Sequence, residues 1–329
     1  MINSWQTFSQ TLVSFLPGID LVFWALIALL LDTILGGRKY LGKIPGPDHI
    51  FHSILKVLCP FLDHDKYAFM RRLLRGLLVL STGIIVLIPI GLWFDSVVRE
   101  SLLGKTLGVL VLMLIFGQKT VRDHTLDLVT LLNNDAHKNN KGRFVAAQWA
   151  IERLTLRLAD GMVANGFVLF ISGFWGLFAY RFIVMMLAVG SSKGILRPQS
   201  PFYIPTWLLY EAITILPALF TFLLTSLAAL LYPVTRKNVF KRFFLHTPNS
   251  LISRELPLKT IAHVMNFSFL DRSQEDGEGH WFETKKQNKK PSANDLKETL
   301  TLITIVWWIE LTSLIVALSV LVLLPSIKA

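Results

Sequence analysis

Six long apolar runs alternate with polar connections along this chain: Leu21–Leu35, Leu73–Trp93, Leu102–Phe116, Met162–Val189, Trp207–Tyr232 and Leu302–Leu324. Runs of about 20 apolar residues match a bilayer core of about 30 Å and predict transmembrane helices. The first and third runs are short, so they must borrow flanking residues or thin the bilayer. Lys and Arg are distributed unevenly between these runs. Gly37–Arg72 carries 7, Gly117–Asp160 carries 7 and Pro233–Thr301 carries 12, whereas the segments on the other side carry 5 in all, counting Lys105 near the start of the third run. Apart from Lys105, only Arg75 and Arg181 lie inside runs. Cytoplasmic loops retain basic residues. The pattern therefore predicts an all-α polytopic membrane bundle of about six transmembrane helices with both termini outside. It forms one integral membrane domain over 1–329, with cytoplasmic loops at 37–72, 117–160 and 233–301.

Shorter periodic stretches predict helices inside those loops. Ile50–Leu62 follows the turn-rich Ile44-Pro-Gly-Pro-Asp48 and sets His49, His52 and Lys56 on one face. It suits a helix lying on the membrane or packed over the bundle, and the two histidines read as a polar face rather than a metal site. A helix from Arg122 to about Leu132, a turn at Asn133–Asn140 and a second helix from about Phe144 make up the next loop. In the third, Leu258–Phe267 is helical, Asp271–Asn294 is polar enough for partial disorder, and Asn294-Asp295 caps the final helix. Near the N-terminus, Trp5, Phe8, Leu12, Phe15 and Leu16 make a short amphipathic segment, and Met1–Gly18 lacks the basic start of a signal peptide.

Composition agrees with a membrane protein: 53% of residues are hydrophobic and 17% charged. The net charge of +11 sits in the predicted inner loops, where anionic lipid headgroups attract it. The expected partner is membrane lipid, with no nucleic acid. Cys59 is the only cysteine, so no disulfide framework is possible.

Polar groups at membrane depth point to candidate chemistry. Glu152, Arg153, Arg157 and Asp160 cluster where the fourth run begins. Arg153, Arg157 and Asp160 share a helical face, and Glu152 lies near it in azimuth. One reading is a charged helix end at the inner interface. The other is the wall of a binding site. Arg181 lies inside the fourth run beside Tyr180. A straight helix carries it to the outer interface, where it snorkels. A break at Ser172, Gly173 or Gly176 would instead turn it toward an internal cavity. There is no Walker motif, no dinucleotide fingerprint and no nucleophile elbow.

The stretch Ile151-Glu-Arg-Leu-Thr-Leu-Arg-Leu-Ala-Asp160 resembles the Val-Glu-Ser-x-x-Glu-Asn-x-x-Asp signature of the CobD/CbiB membrane proteins of cobalamin biosynthesis. The similarity runs without a gap through Gly173-Phe-Trp-Gly176 to Ala179-Tyr-Arg181. Leu31-Asp-Thr-Ile-Leu-Gly36, Pro45-Gly-Pro47, Val121-Arg-Asp123, Ile215-Leu-Pro-Ala218 and Thr247-Pro-Asn249 match further family motifs in order. The resemblance implies amide formation between adenosylcobyric acid and aminopropanol or its phosphate, giving adenosylcobinamide or its phosphate. ATP and Mg²⁺ would activate the carboxylate, and the corrinoid would be the substrate. It implies catalytic roles for Glu152, Asp160 and Asp123. Substrate contacts would fall to Arg122, Arg157, Tyr180, Arg181 and Asn249. Arg122, Asp123, Glu152, Asp160 and Asn249 are expected to converge at the cytoplasmic mouth.

This chain also departs from the family pattern. Family polar positions fall on Leu156, Arg157, Val184 and Leu187, a family carboxylate falls on Tyr210, a family His on Gly46 and a family Pro on Trp175. A kept scaffold with eroded polar groups also resembles the AmpE proteins, related inner-membrane modulators, and Ala262-His-Val-Met-Asn-Phe-Ser268 is similar to them. The alternative expectation is therefore a non-catalytic signalling or binding protein on the same scaffold.

Overall fold

The computed structural model describes residues 19–35, 46–64, 67–134, 140–190, 200–233, 254–267, 269–270, 281–282 and 291–326. The amphipathic segment expected within Met1–Gly18, Asn249 and most of the polar stretch after Asp271 lie outside these residues. The rest is an all-helical membrane bundle. Its helices are α1 (Ile19–Leu35), α2 (Pro47–Leu62), α3 (Phe69–Glu100), α4 (Leu102–Phe116), α5 (Gln118–Asn134) and α6 (Asn140–Leu158). A π-helical turn, Ala159–Val163, leads into α7 (Ala164–Gly190). A short 3₁₀ turn, Pro201–Tyr203, precedes α8 (Ile204–Leu231), which is followed by α9 (Glu255–Met265) and α10 (Ala293–Ser326). A two-residue antiparallel pairing of β1 (Phe269–Leu270) with β2 (Trp281–Phe282) is a minor addition. Among the described residues, five helices are long and apolar enough to cross a membrane, and Phe23–Ile34 is a shorter apolar one.

Local sequence explains most boundaries. Ser101 caps α4 by accepting the Gly104 N–H, 2.9 Å away. Gly117, at φ 49°, ends α4 in the left-handed region that glycine enters most readily. At α10, Ser292 and Asp295 bond reciprocally: the Asp295 carboxylate accepts the Ser292 N–H, and the Ser292 hydroxyl accepts the Asp295 N–H. This capping box begins two residues before the expected Asn294-Asp295 cap. In α2 the face with Asp48, Leu55 and Cys59 is buried. The expected polar face points outward, with His49 and Lys56 exposed.

The largest departure from expectation is in α7, which is not straight. Gly173 has φ 72° and ψ −158°, which breaks the helix into two arms. The Asp95 carboxylate of α3 fills the break and accepts the Phe174 N–H at 3.1 and 3.2 Å, capping the second arm. The chain then folds back on itself. Arg157 and Arg181 are 24 positions apart, which is about 36 Å along a straight helix. Both nevertheless reach the carboxylate of Asp48. Non-helical backbone at membrane depth is tolerated only where protein covers it, and the most apolar stretch of Phe144–Gly190 is 72% buried, against 22% for that of α3.

The second arm packs antiparallel to α3 over a row of small residues. A Cβ at Gly91 would meet the Trp175 backbone, one at Gly83 the Phe182 ring, and one at Gly76 the Phe202 carbonyl. Such rows let helices approach closely in lipid. This geometry also brings distant parts of the chain to one end. Arg72 binds Asp63 at 2.7 Å and Ser200 at 2.8 Å. Asp63, Arg72 and Ser200 therefore share one end of the bundle. The sequence reading set 37–72 and 190–206 on opposite sides; among the described residues Arg72 and Ser200 instead meet, because the fourth apolar run returns at Gly173.

Two outcomes are expected. Cysteines introduced at His64 and Ser200, in a Cys59→Ala background, should be labelled from the same side of the membrane; labelling from opposite sides would refute the fold-back. Gly173→Ala should lower stability by about 1–3 kcal/mol through the strained backbone region alone, with additional crowding from Asp95 Oδ2 at 2.8 Å. Gly166→Ala, where an added Cβ meets nothing within 4 Å, should melt like the parent in detergent.

Candidate functional site

The fold-back gathers a buried polar cluster. Pro47 starts α2 at a position that needs no N–H donor, and this places Asp48 in the first turn. Asp48 is buried and forms a two-pronged pair with Arg181. The Arg181 Nε donates to Oδ1 at 2.7 Å and Nη2 donates to Oδ2. Arg157 Nη1 lies 3.7 Å from Asp48 Oδ2. Its Nη2 donates to the carbonyls of Ile115 at 2.8 Å and Phe116 at 3.2 Å. These are last-turn carbonyls of α4, which lack helical partners and favour a cation.

The second half of the cluster centres on Asp160, in the π-helical turn. Such turns insert one extra residue and often occur at functional sites. The Tyr210 hydroxyl of α8 donates to Asp160 Oδ1. Arg254, at the start of α9, places Nη2 at 3.6 Å from Asp160 Oδ2 and its guanidinium 4.6 Å from the Tyr210 ring centre. The Tyr180 and Tyr210 rings stack at 6.4 Å with a 15° interplanar angle. Burial disfavours the Arg254 cation, but Tyr210 and Asp160 outweigh that and raise its pKa above the ordinary value. Three guanidinium groups thus face two carboxylates. The Tyr180 hydroxyl is buried with no hydrogen-bond partner among the described residues.

Of the residues singled out from sequence, Asp160, Arg157, Tyr180 and Arg181 come together. Arg181 does not snorkel to an outer interface; it is 1% exposed and paired. Asp123 and Arg122 are exposed on α5, and Asp123 makes no hydrogen bond or ion pair among the described residues. Glu152 is half-buried and accepts from Gln148 at 2.7 Å. Arg153 is exposed, over the Trp149 ring at 5.0 Å, so the face expected to join it to Arg157 and Asp160 is divided. Asn249 lies outside the described residues. Sequence reasoning missed Asp48 and Arg254. Asp48 directly follows the Pro45-Gly-Pro47 match, which was the available signal. Arg254 stands in no motif.

Mg²⁺ with a nucleotide calls for carboxylate and water oxygens in octahedral array. The cluster's two carboxylates are already engaged by guanidinium and phenol donors. Among the described residues no group of three or more His, Cys, Asp or Glu side chains could hold a metal ion.

No protein-family model, curated protein or solved structure matches this chain.

Removing one member of a buried ion pair leaves the other uncompensated. Arg181→Leu should therefore cost about 3–5 kcal/mol, and Tyr210→Phe about 1–3 kcal/mol through the unsatisfied Asp160 oxygen. Unfolding of the purified protein in detergent measures both. Equal stability of Arg181→Leu and the parent would mean that the pair is not buried as described.

Proposed function

We propose that this chain is a non-catalytic binding or signalling protein of the bacterial inner membrane, similar to AmpE and built on the scaffold of the corrinoid ligases. The observation that carries the reading is the closure of Asp160. Tyr210 occupies a position where the resemblance implies a carboxylate, and its hydroxyl is bonded to Asp160. The one carboxylate of the implied catalytic set that reaches the cluster is thus held by Tyr210 and Arg254. Asp123 and Glu152 stand outside the cluster. In this reading the paired charges fix the hairpin, and the chain acts by what it binds. The end of the bundle that holds Asp63, Arg72 and Ser200 faces the cytoplasm, because the seven basic residues of Gly37–Arg72 belong there.

One observation favours the second reading, a CobD/CbiB-type ligase using ATP, Mg²⁺, the corrinoid and aminopropanol or its phosphate. Asp160, Tyr180 and Arg181, which carry the central resemblance, do meet in space. Complementation of a ligase-null strain supplied with cobyric acid separates the two readings. The expected result is no growth despite stable membrane insertion. Growth that is lost on Asp160→Asn would overturn the proposal and restore the ligase.

A further inference from the structure

Beside the buried cluster, on the other side of Arg157, lies a cavity of about 60 Å³ between the C-terminal turn of α1, the start of α5, α6 and the first half of α10. Roughly 10–15 Å³ is enough for one water, so the cavity has room for a small polyatomic group. Its polar lining is Thr33, Lys119, Arg122, Arg157, Thr304 and Trp307, and none of its eleven lining residues is acidic. Among the described residues, Arg157 alone of the three cations is near a carboxylate, Asp48 at 3.7 Å. Lys119 donates to the Ile34 carbonyl at 2.6 Å, and Arg122 makes no ion pair among the described residues. A second observation points to a ligand. Trp307 is 7% exposed, and its indole N–H is buried without a hydrogen-bond partner among the described residues. Leaving such a donor unmet costs free energy.

Two further features suit an anion. Gly117 ends α4, and the N-terminal turn of α5, with Lys119 and Val121, borders the cavity. Free N–H groups at a helix start favour an anion. The cavity also sits beside the point where apolar α4 gives way to polar α5, a change of polarity that suits a headgroup phosphate.

We propose that this cavity binds a phosphate group, held by Arg122, Lys119 and Arg157 and by the indole N–H of Trp307. Donors from α5, α6 and α10 suit a tetrahedral anion that accepts from several directions better than a planar carboxylate, which a single guanidinium fork satisfies. The phosphate could belong to an anionic phospholipid or to a soluble phosphate compound. The inference does not depend on whether the protein is a ligase.

The test uses the full-length protein in detergent, with inorganic phosphate as one probe and phosphatidylglycerol in mixed micelles as the other. Phosphatidylcholine micelles and chloride serve as controls, and the readouts are thermal shift and native mass spectrometry. Binding of either probe above its control is expected, and the probe that binds identifies the source. Arg122→Gln, at an exposed position, and Trp307→Phe, which keeps the ring bulk, should each weaken that binding about tenfold or more. Binding of neither probe, or binding unchanged in both variants, would overturn the proposal.

Discussion

The buried pair between Asp48 and Arg181 is the contact on which the rest of this bundle depends. It joins α2 to the second arm of α7, and through Arg157 it also takes in α6 and the last carbonyls of α4. Taking charges out of water costs several kcal/mol each, so the pair is no simple source of stability. It acts by limiting the alternatives. Once Asp48 is buried, only an arrangement that supplies both guanidinium groups satisfies it. That arrangement requires the fourth apolar run to double back.

The same logic operates at the turn of the hairpin. A break in lipid exposes backbone N–H groups, and each must find an acceptor. Asp95 of α3 supplies one for Phe174. The small-residue row along α3 then lets the second arm lie close, with Trp175 against Gly91 and Phe182 against Gly83. Packing and hydrogen bonding thus fix the hairpin from one side and the Asp48 cluster from the other. Asp160 lies where these constraints meet. Its π-helical turn, the Tyr210 hydroxyl and Arg254 leave it enclosed and paired.

The bundle and most of its helices were legible because they follow from transfer energies and periodicity. The run Leu102–Phe116 coincides with α4, and the helices read in the loops appear as α2, α5, α6 and α9. The candidate cluster was half legible. Asp160, Tyr180, Arg181 and Arg157 stood out as polar groups in or beside apolar runs. Asp48 and Arg254 did not, because in sequence they sit in basic, turn-rich loops where a charge is unremarked. Tyr210 stood out only as a missing carboxylate, and its bond to Asp160 needed the two helices side by side.

The sequence by itself determined that the chain belongs in a membrane, where most of its helices lie, and that a few charges would have to be buried. Those properties depend on hydrophobicity and on local backbone chemistry. Only the tertiary structure decided that the fourth run folds back, which ends share a side, and which charge pairs with which. A glycine tolerates a reversal but does not impose one. The reversal at Gly173 is selected by Asp95 and Asp48, which lie 78 and 125 positions away and act only when the chain has brought them there.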